Sequence, residues 1–181
     1  MVGSGRNIPL RVVLIGAEST GKSTLAEQLA QRYNSVWTPE FLRQFVDEKG
    51  APPEEQDVHA IARGHLEQEA RLILQAKHVL FLDTDLVSTC IYQRIYFDNC
   101  PDWVERKAST HRGDLYLFTE PDIPWEPDPG QREGPEVRLR THALLLNEAR
   151  HLRLNVVSVR GTRDARLYTA VQAVDLALAQ R

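Results

Sequence analysis

Cysteine is nearly absent: Cys90 and Cys100 are the only two in 181 residues. They are too few and too poorly spaced for a disulfide framework or a thiolate metal site, so both read as ordinary thiols of a reducing compartment. Long apolar runs are missing too. The longest, such as Leu10 to Ile15 with Arg11 inside it, are strand-sized, whereas a membrane helix needs roughly 20 residues. No membrane partner is expected. No run of Lys or Arg is dense enough for a nucleic-acid arm and the formal charge is −3, so nucleic acid is not an expected partner either. The stretch Met1 to Pro9 is Gly-rich and polar. It lacks the apolar core of a signal peptide, which makes the cytoplasm the expected location.

What is present is ordinary globular material. Hydrophobic residues make up 42% and charged residues 26% of the chain, enough to bury a core, and 181 residues suit one domain, 1–181. Apolar runs alternate with helical stretches, the pattern of a parallel sheet with helices on both faces. Leu10 to Ile15 reads as a strand followed by a helix from Lys22 to Tyr33, and Ser35 to Thr38 reads as a weaker strand before a helix from about Glu40 to Gly50. Glu54 to Lys77 has apolar positions at helical spacing, with Gly64 its one weak spot. Val79 to Leu82 reads as a buried strand ending at Asp83, and helices are predicted over Leu86 to Phe97 and Asp102 to Thr110. A strand at Leu115 to Phe118 leads into Glu120 to Pro135, which holds five prolines and two glycines and reads as a lid spanning about 120–136. A helix from Val137, a strand at Val156 to Val159 and a helix from Asp164 to Ala179 complete the alternation.

The segment Gly16-Ala17-Glu18-Ser19-Thr20-Gly21-Lys22-Ser23 matches G-x-x-x-x-G-K-[ST], after a predicted strand and before a predicted helix. That spacing lets the backbone N–H groups converge on a phosphate at a helix N-terminus. Lys22 would reach the β and γ phosphates of ATP, Ser23 would ligate Mg²⁺, and Thr24 would add a hydroxyl near the α phosphate. Asp83, delivered by an apolar strand to the sheet edge where ligands bind, is the second expected Mg²⁺ ligand.

Asp85 projects to the same side as Asp83 if the backbone stays extended, and would then contact substrate; capping the helix at Leu86 is the competing role. Glu40 and Arg43 lie three residues apart on one helical face, placed to orient or deprotonate an acceptor hydroxyl, although a solvated helix start would look the same. In the lid, Arg132 could close over the phosphates, with Arg138 and Arg140 just beyond it. The turn at Gly161 and Thr162 after the last strand is placed where adenine could lie against the backbone.

These residues resemble the nicotinamide riboside kinase domain of the bacterial NAD-biosynthesis regulators and their stand-alone relatives. The similarity runs almost end to end. It is carried by the phosphate loop, by Glu40-Phe-Leu-Arg43, by Ile61-Ala62-Arg63-Gly64, by Asp83-Thr84-Asp85 with Thr89 and Tyr92, and above all by Pro121-Asp122-Ile123-Pro124-Trp125. Asp128-Pro129-Gly130 departs from the family's Asp-Asp-Gly, and His65 stands where the family has Gln after Ile-Ala-x-Gly. The resemblance implies an α/β P-loop NTPase fold, a three-layer sandwich around a five-stranded parallel sheet of order 2-3-1-4-5. It also implies ATP and Mg²⁺ as cofactors and phosphorylation of nicotinamide riboside to nicotinamide mononucleotide. Substrate would then meet Glu40, Arg43, Asp85, Tyr92 and Asp128, with Trp125 the first choice for an aromatic face against its cationic ring and Tyr92 and Trp37 in reserve. Two other readings stay open: a kinase of the same fold acting on another nucleoside or small hydroxyl compound, and a P-loop ATPase that drives a partner protein. Assembly into a homo-oligomer is left open as well.

Overall fold

The computed structural model describes residues 8–126 and 134–181. The elements follow in the order β1 (Leu10–Ile15), α1 (Lys22–Arg32), β2 (Val36–Thr38), α2 (Phe41–Lys49), α3 (Val58–Ile73), β3 (Val79–Asp83), α4 (Leu86–Phe97), α5 (Asp102–Thr110), β4 (Leu115–Thr119), α6 (Pro135–His151), β5 (Val156–Val159) and α7 (Arg163–Ala179). The five strands form one parallel sheet in the order β2-β3-β1-β4-β5, as expected.

The unbroken apolar runs of β3 and β4 are buried on both faces because helices cover both sides of the sheet. Alternate residues along each strand feed two cores. On one face Val13, Ile15, Leu80, Leu82, Tyr116 and Phe118 pack against side chains of α3 to α6. On the other Val12, Leu14, Phe81, Leu115 and Leu117 pack against Leu25 and Leu29 of α1 and Ala170 and Val174 of α7. The central pairing sets Leu14 opposite Asp83, so the C-terminal ends of β1 and β3 finish side by side.

The helix expected over 54–77 is shorter at both ends. Its start tightens into a 3-10 turn at Glu55–Asp57, where Asp57 accepts the Glu54 backbone N–H at 2.7 Å and pairs with Lys49 at 2.5 Å. It closes when the N–H groups of Gln75 and Ala76 both turn back to the Leu72 carbonyl. Gly64, the weak spot in the helical pattern, has a packing reason. A Cβ there would lie 2.0 Å from the Phe41 ring, so the glycine lets α2 settle onto α3. α2 is thereby held where its first turn, with Glu40 at the N-cap, meets the sheet edge.

Candidate active site

The phosphate loop bridges β1 and α1. Gly16 has φ +155° and passes so close to β4 that a Cβ would sit 2.3 Å from the Thr119 hydroxyl. Beside it Thr20 is buried, donates to the Ala17 carbonyl at 2.7 Å and meets the Thr119 hydroxyl at 2.7 Å. Lys22 Nζ donates to the same Ala17 carbonyl at 2.9 Å, which folds the ammonium over the loop. Gly21 caps α1 in a left-handed conformation, and Glu18, Ser19 and Thr24 join the loop residues on the wall of the adjoining cavity.

Ser23 Oγ donates to Asp83 Oδ2 at 2.5 Å, across 60 residues of sequence. Asp83 is fully buried, and its Oδ1 has no hydrogen-bond partner among the described residues. Burial pushes its carboxyl above the usual range, opposed by Lys22, the Ser23 hydroxyl, Arg43 and His65. A hydroxyl and a carboxylate with one idle buried oxygen suit Mg²⁺. Among the described residues no group of three or more His, Cys, Asp or Glu could hold a metal by itself, so a cation here would need phosphate oxygens and water to complete its shell.

Asp85 goes elsewhere. Thr84 adopts φ +70°, which breaks the extended backbone on which the shared direction of Asp83 and Asp85 depended. Asp85 is buried and caps α4: Oδ1 accepts the Ser88 N–H at 3.0 Å and Oδ2 accepts the Tyr116 hydroxyl at 2.7 Å. It is not on the cavity wall, and the helix-capping role is the one the structure supports.

The cavity, about 350 Å³, opens from the phosphate loop between α2, α3 and α4. Its wall carries three carboxylates, Glu18, Glu40 and Glu126, with the rings of Tyr92, Tyr96 and Phe97. Tyr92 and Tyr96 are stacked with centroids 6.2 Å apart. A second groove beyond it runs along Trp37 and Asp83, and Ser23, Glu40 and Arg43 line both spaces. Glu40 and Arg43 therefore share both spaces with Ser23, and Asp83 lines the second of them. Trp125 is half-buried and is not on the cavity wall; the aromatic side chains there come from α4. Asp128 and Arg132 lie outside the described residues.

The base of the lid is pinned rather than loose. Glu126 N–H donates to Ser19 Oγ at 3.1 Å, which lays the Pro121 to Trp125 turn across the phosphate loop. Arg138, expected among the phosphates, is buried and donates to the carbonyls of Pro121 and Ile123 instead. Gly161 N–H donates to Asp122 Oδ2 at 2.6 Å and Thr162 caps α7, so this turn is held against the lid base and lines neither space. Arg166 organises the region. Buried on α7, it donates to the carbonyls of Thr20 at 2.8 Å, Glu120 at 2.8 Å and Gly161 at 3.0 Å, and pairs with Asp122. Nothing local marks this arginine in the sequence, because its partners lie up to 146 residues away.

The complete G-x-x-x-x-G-K-S loop, the 2-3-1-4-5 sheet and an acid at the tip of β3 define a nucleotide-binding P-loop fold of the kinase type. The chain belongs to the AAA domain family, which it matches over residues 11–166. It is 31% identical over 143 residues to the trifunctional NAD biosynthesis/regulator protein NadR of Salmonella typhimurium, covering 76% of this chain and 34% of the relative. The Escherichia coli protein of the same name is 30% identical over 141 residues, with the same coverage. The chain thus spans about a third of the length of the curated relatives it matches. A crystal structure of NadR with NAD and AMP-PNP superposes with a TM-score of 0.81 at 24% identity, over 96% of this chain and 51% of that one. One of NadR with NR gives 0.78 at 25% identity, over 96% and 53%. Thymidylate kinase from Ehrlichia chaffeensis shares the fold, with a TM-score of 0.62 at 14% identity over 94% of this chain and 99% of that one.

Proposed function

We propose that this chain transfers the γ-phosphoryl group of ATP to nicotinamide riboside, giving nicotinamide mononucleotide. The observation that carries the reading is the cavity joined to the phosphate loop, whose wall carries the rings of Tyr92 and Tyr96 together with the carboxylates of Glu18, Glu40 and Glu126. A cationic pyridinium ring gains from both, since a cation over an aromatic face contributes about 0.5 to 2 kcal/mol. Tyr92 takes the role first given to Trp125. The kinship with NadR, and a solved NadR bound to NR, support the same acceptor.

In the reaction Lys22 swings from the Ala17 carbonyl to the transferring phosphoryl group and neutralises charge gathering on its oxygens. Ser23 and Asp83 would hold Mg²⁺, which would supply positive charge against the phosphates when bound. Glu40 accepts the acceptor's proton, and Arg43 beside it holds the incoming group in line.

ADP release measured against a nucleoside panel tests this. Nicotinamide riboside should give the highest kcat/KM, well above uridine and adenosine. Equal use of uridine would sink the acceptor assignment and leave phosphoryl transfer standing.

A further inference from the structure

One side chain on the cavity wall is left unexplained by phosphate chemistry. His65, in the middle of α3, is 3% exposed and lines the cavity, and its Nε2 has no hydrogen-bond partner among the described residues. An unpaired buried polar nitrogen is costly, and such groups are uncommon in folded proteins unless something occupies them.

Its place along the cavity follows from how α3 and α4 run. Gln93, late in α4, donates to the Glu55 carbonyl just before α3 at 3.0 Å, so the start of α3 meets the far end of α4. His65, two turns into α3, instead lies within the electrostatic reach of Asp83 and Asp85, at the sheet end. The inner end of the cavity therefore belongs to His65 and the loop residues, and the outer end to Tyr96 and Phe97. An acceptor with its ring among the tyrosines and its reacting hydroxyl at Lys22 and Glu40 turns the sugar towards His65.

We propose that His65 is a specificity-determining residue that reads a secondary hydroxyl of the acceptor's sugar through Nε2. This rests on the reading of the cavity as the acceptor site. The chemistry fits a hydroxyl better than a carbonyl. Burial holds the imidazole below its ordinary pKa, against the pull of Asp85 and Glu69, so the ring is neutral, with one nitrogen donating and the other accepting. A hydroxyl does both and satisfies Nε2 in either tautomer, whereas a carbonyl satisfies only one.

The test is a cycle between protein and ligand. Calorimetry in the presence of AMP-PNP compares nicotinamide riboside with its 2′-deoxy and 3′-deoxy counterparts on wild type, His65→Leu and His65→Gln. Leu is close to His in volume and removes the unpaired nitrogen, so the fold is expected to hold. Wild type should bind one deoxy analogue about tenfold more weakly than the parent, the scale of one lost hydrogen bond. His65→Leu should bind the parent about tenfold more weakly and no longer tell the two apart. His65→Gln, whose amide both donates and accepts, should recover to within about threefold, with the KM for ATP unchanged throughout. Discrimination that survives His65→Leu, or an equal loss of ATP affinity, overturns this role alone. Failure of wild type to bind any nucleoside overturns the acceptor reading and this one with it.

Discussion

Three carboxylates that look alike in the sequence have different work in the fold, and their substitutions should separate. Asp83 is buried with an idle oxygen beside Ser23, Glu40 faces the cavity, and Asp85 is committed to Ser88 and Tyr116. Glu40→Gln should lower kcat on the order of a hundredfold while ATP binding holds, because proton transfer contributes about that much. Asp85→Asn should instead lower stability by about 1 to 2 kcal/mol, because an amide still caps α4 through its oxygen but puts an NH2 where Oδ2 accepts the buried Tyr116 hydroxyl, with little change in the KM for the acceptor. Steady-state kinetics beside thermal melts check the pair; an Asp85→Asn enzyme of full stability and lost acceptor affinity would reverse the assignment. Lys22→Ala should cut kcat by at least about a hundredfold, as loss of a charge aimed at the transition state does. Near-normal turnover in a folded Lys22→Ala variant would rule out the phosphate site as drawn.

At the scale of elements, the site depends on joints between pieces distant in sequence. Arg166 ties α7 to the phosphate loop, the end of β4 and the base of the lid through three carbonyls and Asp122. Arg166→Lys keeps the charge and loses the planar fork, so it should raise the KM for ATP roughly tenfold, with the lid base exchanging amide protons faster. Unchanged exchange over 120–126 would leave Arg166 a purely local contact. α2 rests on α3 at Gly64, where an added methyl meets the Phe41 ring. Gly64→Ala should cost about 1 to 3 kcal/mol through overpacking and should lower kcat as well, because the shift is passed to Glu40 and Arg43. Phe41→Leu in the same chain should restore part of both, and a double variant no better than the single would show that the strain lies elsewhere.

Across the whole molecule, the buried acid Glu69 joins α3 to β1 and to the end of α5. Arg11 Nε lies 2.7 Å from its Oε1, though off the N–H direction and so an ion pair rather than a hydrogen bond, and His111 Nε2 lies 3.1 Å from the same oxygen. Burial alone would raise the Glu69 pKa, but the His111 contact and the Arg11 charge outweigh it, and the carboxyl titrates below its ordinary 4.5. A depressed folded-state pKa contributes stability that is fully present above the unfolded value and is lost as pH falls through the folded one. Glu69→Gln should therefore cost about 3 kcal/mol at neutral pH, the scale of a broken buried pair, and the gap from wild type should shrink as pH drops below about 4.5. Denaturant melts across that range check it, and a gap independent of pH would mean that the group is not ionised in the fold.

The strands, the phosphate loop and the acid at the tip of β3 were legible in the sequence because each is local, whereas the order of the sheet came from the family resemblance. Apolar runs of strand length, helical spacing and a fixed eight-residue loop are set by neighbours along the chain. The particular work of Asp85, Gly64, His65 and Arg166 was decided only in three dimensions. Asp85 turned on a single left-handed residue at Thr84, and Gly64 on a ring brought by another helix. His65 turned on its unpartnered nitrogen at a cavity wall, and Arg166 on carbonyls from three separate loops. Contacts between segments far apart in sequence leave no periodic trace, because closure of the fold rather than local spacing brings those groups together.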